Sequence, residues 1–333
     1  MVSNHPSAAM HPPISVVIPY FQRNEGVLIR ALNSIAKQQY ATAQIKVVIV
    51  DDASPVPAEQ EVSRFLAQQS LHIQILHQAN AGPNTARNTG LQALDPASEF
   101  VAYLDSDDEW EDTHLSRAVS ALRKGFNVYF SNLRHLGTEG LPEFERAQRL
   151  QVEAHPLIEG LDKSFRAYQG DMMAQILLAN TMFIPSMVID RHFAQEVRFY
   201  DGFRSGGGDY MYWLRLCRAG ARFCFSTQVE VICGSGINMW YANGWGTDGY
   251  LKRLAGESEY RTLALNEYLS DPETKQKVSA QLQSLRSSVL MDCVHRLLRR
   301  KPLDWARLKQ YHRDFRFRVS DIGVTMKRML RRQ

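Results

Sequence analysis

Several things are missing from this chain, and each absence removes a class of function. No apolar run approaches the ~20 residues needed to cross a bilayer. Cysteine is scarce, with Cys217, Cys224, Cys233 and Cys293 the four present. None forms a C-x-x-C pair, which argues against a zinc site or a disulfide framework and makes a reducing cytosol the expected compartment. Residues 1–13 have neither a basic n-region nor an apolar h-region, so they are expected to be a short disordered lead and not a secretory signal. No Gly-x-Gly-x-x-Gly follows the first apolar run, so the dinucleotide fingerprint is absent. No histidine lies between His192 and His295.

Positive charge is lacking over most of the length. Residues 291–333 hold 13 Lys and Arg against 4 Asp, while the preceding 290 hold 26 basic against 31 acidic side chains. The overall net charge of +4 is therefore a property of the tail. Such a tail suits nucleic acid or an anionic membrane. It carries no nucleic-acid-binding motif spacing and the remainder is acidic, so no nucleic acid is expected. Leu297, Leu298, Trp305, Leu308, Phe315, Phe317, Met326, Met329 and Leu330 are interleaved with its charges. That mixture predicts a helix lying in the headgroup region and a peripheral membrane attachment; the bland alternative is that the apolar residues pack against the catalytic domain and the charges are merely solvated.

What is present first is a repeated β/α pattern. Ile14–Ile18, Ile45–Val50, Leu71–Leu76 and Phe100–Leu104 read as strands, joined by helical patterns at Glu25–Gln39, Ala58–Gln69 and Asn84–Leu94. Strands alternating with helices predict a parallel sheet with right-handed crossovers. A further strand is expected at Asn127–Ser131, helices at Asp171–Asn180 and Asp209–Ala219, and strands at Arg222–Phe225 and Glu230–Cys233. Between them, Asn132 to about Gly170 reads as a polar excursion facing a substrate or partner. Gly234–Gly249 reads as a loop whose Trp240, Tyr241 and Trp245 would stack on a sugar or pin the loop to the core. From Gly249 onward the chain reads as helical.

The strand ends carry the chemistry. Phe100–Leu104 runs into Asp105-Ser106-Asp107-Asp108, three carboxylates in four residues. Such a cluster repels itself unless a hard cation offsets it, and Mg²⁺ and Mn²⁺ take carboxylate oxygens. The bland alternative is a solvated acidic turn. A calcium hand is excluded, because Trp110 and Ser116 stand where Gly and Glu belong. The first strand ends in Pro19-Tyr20-Phe21 and the second in Asp51-Asp52-Ala53-Ser54, so all three ends share one rim. Phe21 could stack on a planar base and Asp51 or Asp52 accept its N–H; helix capping with Ser54 competes for either carboxylate. Arg87, near a helix start after Gly82-Pro83, suits a phosphate. Gly206-Gly207-Gly208-Asp209 presents a carboxylate at a helix start, as a general base or a cap.

Taken in order, Ser15–Phe21, Val50–Ser54, Asn80…Gly82…Ala86–Gly90, Leu104–Asp108, and Gly208-Asp209 before Trp213-Leu214-Arg215-Leu216 form a specific series. This series resembles family 2 of the nucleotide-sugar glycosyltransferases, inverting enzymes of GT-A fold found in bacterial polysaccharide biosynthesis. The likeness covers roughly residues 14–233. It implies a Rossmann-like α/β fold: a mixed, mostly parallel sheet flanked by helices over 14–248 (nucleotide half 14–131, acceptor half 132–248), then a basic helical extension, 249–333. It implies a donor site at Pro19, Phe21, Asp51, Asp52, Arg87, Asp105 and Ser106. A divalent Mn²⁺ or Mg²⁺ would sit at Asp107 and Asp105, with Asp108 flanking, and Asp209 would be the base. The chain departs from the family at Gly208, where the usual residue is Glu, and in lacking a downstream His ligand, for which Asn238 or Asp248 would substitute. The implied reaction moves a hexose from a UDP-sugar to a glycan or lipid-linked saccharide on the cytoplasmic side of the membrane. The competing readings are a nucleotidyltransferase, a nucleic-acid-binding protein and a phosphatase. The first lacks its basic Gly-rich loop, the second its motifs, and the third would place its Asp after the first strand.

Overall fold

The computed structural model describes residues 11–136, 140–203, 206–234 and 243–330. Trp240, Tyr241 and Asn238 lie outside the described residues.

The chain divides into two compact units, Met1–Phe199 with Arg215–Ile237, and Tyr200–Leu214 with Asn238–Gln333. The first holds the sheet. Its strands are β1 (Ile14–Tyr20), β2 (Ile45–Asp51), β3 (His72–His77), β4 (Phe100–Tyr103), β5 (Glu109–Trp110), β6 (Val128–His135), β7 (Phe165–Ala167), β8 (Val188–Asp190) and β9 (Phe223–Cys233). The helices are α1 (Val27–Ala36), α2 (Ala58–Leu66), α3 (Pro83–Gln92), α4 (His114–Leu122), α5 (Glu143–Ala147) and α6 (Met172–Ala179). Next comes α7 (Gly208–Arg218), divided between the units, and the second unit continues with α8 (Tyr250–Glu267), α9 (Pro272–Leu298), α10 (Trp305–Phe315) and α11 (Val319–Leu330).

Among the described residues the strand order is β3-β2-β1-β4-β8-β6-β9-β5, with β7 also on β9. The β1–β4 half is parallel throughout, as the β/α alternation predicts. Strands β1 and β2 are apolar along nearly their whole length because both sheet faces are covered. Val47 and Ile49 join the main core on one face, while Val48 and Val50 pack with Ala86 of α3 on the other. Helix α1 buries Leu28, Ala31, Leu32 and Ile35, the spacing of a single apolar stripe.

The second half departs from the sequence reading. β8 is antiparallel to both β4 and β6, making the sheet mixed. The strands expected at 222–225 and 230–233 are one strand. Ser226 pairs with Ser131 and Val229 with the adjacent Asn132, so Thr227 and Gln228 form a bulge whose polar side chains break the pattern without ending the strand. The 132–170 excursion contains the end of β6, α5 and β7. Two-residue β5 and three-residue β8 are too short to leave a periodic signal, and α4 falls where the sequence reading places no helix.

Of the residues expected to form a disordered lead, 12 and 13 are held in place. Pro12 is buried and its carbonyl accepts from the Tyr40 hydroxyl at 2.5 Å, while Pro13 accepts from the Glu99 N–H at 2.8 Å.

In the second unit, α8, α9 and α10 enclose Tyr250, Leu254, Val289 and Tyr311, with Leu308, Phe315 and Phe317 packed against them. Buried Arg286 of α9 pairs with buried Asp321 of α11 at 2.8 Å. No helix among the described residues is long and apolar enough to cross a membrane.

Candidate active site

In the parallel half, β1 is paired with β4 only as far as Val17, so beyond it one flank of β1 is open. Pro19, buried in the open stretch, still lies beside Val50 of β2. This is the point where the strand order reverses, and the carboxyl ends of β1, β2 and β4 meet around it. Three of the sequence motifs are therefore brought to one place.

Hydrogen bonds lock them together. Gln22, which the sequence reading passed over, is buried; its backbone N–H donates to Ser54 Oγ at 2.8 Å, and its Nε2 to Ser106 Oγ at 3.0 Å. One side chain thus ties the end of β1 to the loops after β2 and β4. Its only sequence signal is a polar residue next to Phe21. Ser106 is buried and positions the acidic turn, while Phe21 is half-buried.

The two aspartates after β2 have different tasks. Asp51 Oδ1 accepts from the Ser54 N–H at 2.7 Å and Oδ2 from the Ala58 N–H at 2.9 Å, so it secures the turn and the first residue of α2. Asp52 Oδ1 accepts from Gln78 Nε2 and the Ala81 N–H, and Oδ2 from the Gly82 N–H at 2.8 Å. It thereby holds the Asn80–Gly82 turn that starts α3.

Helix α3 carries Arg87, which is buried and donates through Nη2 to Asp105 Oδ1 at 2.5 Å and through Nη1 to Asn84 Oδ1 at 3.1 Å. Its guanidinium also lies over the Phe199 ring, 5.4 Å from the centroid. Asn88, one residue on, grips the Phe199 backbone in both directions, at 2.9 and 2.8 Å. Arg87 is therefore a positioning residue for Asp105.

The acidic turn is asymmetric. Asp105 and Asp107 are half-buried, whereas Asp108, which the sequence placed as a flanking metal ligand, is buried. Its Oδ1 accepts the Gly234 N–H at 2.8 Å. Burial pushes the Asp108 carboxyl well above the ordinary carboxylate range, and the charges of Asp105 and Asp107 push it further; the Gly234 N–H and Arg87 act in the opposite sense. An oxygen-only, net-negative cluster with two accessible carboxylates has the chemistry of a hard-cation site, and Asp105 and Asp107 are the residues that suit it.

Among the described residues, Asp51, Glu59 and His77 also bring one ligand atom each within 4.8 Å of one another. Both Asp51 oxygens are taken by backbone N–H groups, and exposed Glu59 and His77 are hydrogen-bonded to each other at 2.5 Å, so each of the three has a protein partner.

Asp209 stands in the first turn of α7, half-buried. The chain reaches it through Gly206 and Gly207, whose φ values of 99° and 92° are left-handed and suit glycine. A Cβ on Gly207 would also fall 2.7 Å from the Tyr260 ring, against which Tyr210 stacks. Asp248, considered as a substitute metal ligand, instead pairs with Arg296 at 3.1 Å.

Residues 15–182 match the sequence profile of "Glycosyl transferase family 2". The chain is 27% identical over 298 residues to the succinoglycan biosynthesis protein ExoW of Rhizobium meliloti (strain 1021), covering 86% of this chain and 89% of that protein. It is 28% identical over 130 residues to the poly(ribitol-phosphate) beta-N-acetylglucosaminyltransferase TarS of Staphylococcus aureus (strain Mu50 / ATCC 700699), covering 39% of this chain and 22% of that one. Among solved structures it resembles S. aureus TarS 1-349 in complex with UDP, with TM-score 0.59, 15% identity, and coverage of 96% of this chain and 92% of that one. It likewise resembles the mannosyltransferase PcManGT from Pyrobaculum calidifontis in complex with GDP-Man and Mn2+, with TM-score 0.58, 17% identity, and coverage of 95% and 84%. The fold is thus that of the GT-A glycosyltransferases, and on its sequence the chain belongs to glycosyl transferase family 2.

Proposed function

We propose that this glycosyltransferase moves a hexose from a UDP-sugar to a glycan or lipid-linked saccharide, with inversion and with a divalent metal, in the synthesis of bacterial cell-surface polysaccharide. The observation that carries the reading is the meeting of Phe21, Asp52 and the Asp105–Asp107 turn at the strand reversal, with Arg87 holding Asp105. Phe21 stacks on the uracil, and Asp52 or Asp51, whose oxygens keep lone pairs beyond those taken by the neighbouring N–H groups, accepts its N–H. Asp105 orients the ribose side of the donor. A divalent cation, when bound, supplies a Lewis acid that offsets the charge of the departing diphosphate, and Asp105 and Asp107 would hold it.

The acceptor hydroxyl attacks the anomeric carbon from the face opposite the diphosphate. As the new C–O bond forms, the bond to the diphosphate oxygen breaks, and Asp209 takes the hydroxyl proton. A single displacement inverts the centre and needs no covalent enzyme intermediate.

The same reading places the protein at the inner face of the cell membrane. The packing of the second unit narrows the surface involved. Leu308, Phe315 and Phe317 are spent on its core, whereas Leu297, Leu298 and Trp305 are exposed beside exposed Arg299, Arg300 and Lys301. An apolar patch interleaved with cations suits an anionic headgroup layer. The site chemistry is tested by measuring nucleoside diphosphate release across UDP- and GDP-sugars with Mn²⁺ or Mg²⁺. Release from UDP-hexoses is expected, and turnover of GDP-sugars alone would refute the donor assignment.

A further inference from the structure

Helix α3 meets its surroundings on two different terms. Ala86 and Gly90, four residues apart and so on one face, seat it on the sheet. Ala86 packs with Val48 and Val50, and a Cβ on Gly90 would lie 2.5 Å from Val17 Cγ1. The side chains between them reach polar partners instead. Arg87 holds Asp105, Asn88 holds the Phe199 backbone, and Thr89 holds Gln78, the first residue beyond β3.

Gln78 in turn grips both aspartates of the turn after β2. Its backbone N–H donates to the Asp51 carbonyl at 3.0 Å, and its Nε2 donates to Asp52 Oδ1 at 2.7 Å. Asp52 is 3% exposed, and a buried carboxylate is costly unless donors meet its oxygens. Two of its donors are backbone N–H groups, from Ala81 and Gly82, whose direction the turn fixes. The Gln78 amide has a choice. Rotated by half a turn, it would aim its own oxygen at the carboxylate. The Thr89 hydroxyl removes that choice by donating to Gln78 Oε1 at 2.7 Å, which leaves Nε2 toward Asp52. Accepting that bond also polarises the amide and strengthens its donation to a charged acceptor.

We propose that Gln78 and Thr89 are positioning residues for nucleobase selection: the Thr89 hydroxyl sets the Gln78 amide, and Gln78 holds the Asp51–Asp52 turn in the geometry that accepts a base N–H. The inference rests on the reading of that turn as the base contact. It makes α3 a bracket across the donor site, since Arg87 on the same helix holds Asp105 on the ribose side.

Calorimetric titration of the full chain with UDP, CDP and GDP in the presence of Mn²⁺ tests it. Cytosine carries a lone pair where uracil carries its N3–H, so the wild type is expected to prefer UDP to CDP. Thr89→Val keeps the branched shape of the side chain and replaces the hydroxyl with a methyl. It should cut UDP affinity by roughly threefold to tenfold and leave CDP affinity nearly unchanged, so that the preference narrows. Thr89→Ser keeps the hydroxyl and should keep the preference. Gln78→Met should narrow it as Thr89→Val does, and it decides the matter if thermal unfolding shows that Thr89→Val fails to fold. A purely structural role would lower the unfolding temperature and leave the ratio of affinities as it was. That result, or a Ser variant no better than Val, overturns the inference, as does a wild type that binds all three nucleotides alike or none. A wild type that prefers GDP would overturn the uridine donor instead, and the inference would then stand or fall on whether Thr89→Val narrows that preference.

Discussion

Gly234 donates its backbone N–H to the buried Asp108 carboxylate at 2.8 Å, so the end of β9 carries the acidic turn at the end of β4. The approach is so close that a Cβ on Gly234 would lie 1.9 Å from the Asp107 carbonyl oxygen. The obstacle is backbone, which cannot rotate aside. Gly234→Ala is therefore expected to displace the Asp107 segment and lower transfer by about 10²-fold, the typical cost of a 1 Å misplacement. Steady-state rates compared with thermal unfolding check this; an Ala variant with wild-type rates would show that the turn is not rigidly held.

The raised Asp108 carboxyl makes stability depend on pH in a definite direction. The folded protein keeps this proton to higher pH than the unfolded chain does. Its contribution is complete below the ordinary Asp value and is lost as pH climbs through the raised one. Metal-free protein should accordingly lose stability as pH rises above the usual carboxylate range, and Asp108→Asn should flatten that part of the profile. Denaturant midpoints across pH measure it, and identical slopes in the two proteins would refute it.

Arg87 is buried and forks between Asn84 and Asp105. Arg87→Met should destabilise the fold by about 1–3 kcal/mol and weaken UDP binding, because Asp105 loses its anchor. Arg87→Lys should rescue little, since an ammonium lacks the planar fork. Calorimetry with UDP and Mn²⁺ separates the effects, and full rescue by Lys would reduce Arg87 to a point charge.

Asp209→Asn should lower transfer by about 10²–10⁴-fold with UDP affinity preserved, as expected of a lost general base. Asp107→Asn should lose both transfer and the Mn²⁺-dependent part of UDP binding. Wild-type turnover in the first variant would return Asp209 to a structural role at the start of α7, and unaltered metal response in the second would remove Asp107 from the metal site.

The exposed patch at the end of α9 should sediment the protein with anionic vesicles at low salt. Each basic side chain near such a surface is worth about 1 kcal/mol. Replacing Leu297, Leu298 and Trp305 with Ser should release it without changing UDP binding, because none packs in the second unit's core. Full-length protein left in the supernatant would end the membrane assignment.

The sequence by itself determined the parallel half of the sheet and the motifs at its strand ends. Those features are local: an apolar run of strand length buried on both faces, a helix stripe at Leu28, Leu32 and Ile35, three carboxylates where a strand stops. It also supplied the order of motifs on which the family resemblance stood. Tertiary structure decided the rest, because the deciding contacts join residues far apart in the chain. Whether Asp108 faces solvent or the interior depends on Gly234, which the pairing of β9 with β6 and β5 sets one residue beyond the end of the strand. Asp51 and Asp52 are indistinguishable neighbours in sequence and separate only because α2 lies on one side and the Asn80–Gly82 turn on the other. The basic tail shows the same limit. Composition counts its charges and apolar residues, but packing decides which become core and which stay exposed, and it sends Phe315 inward and Trp305 out.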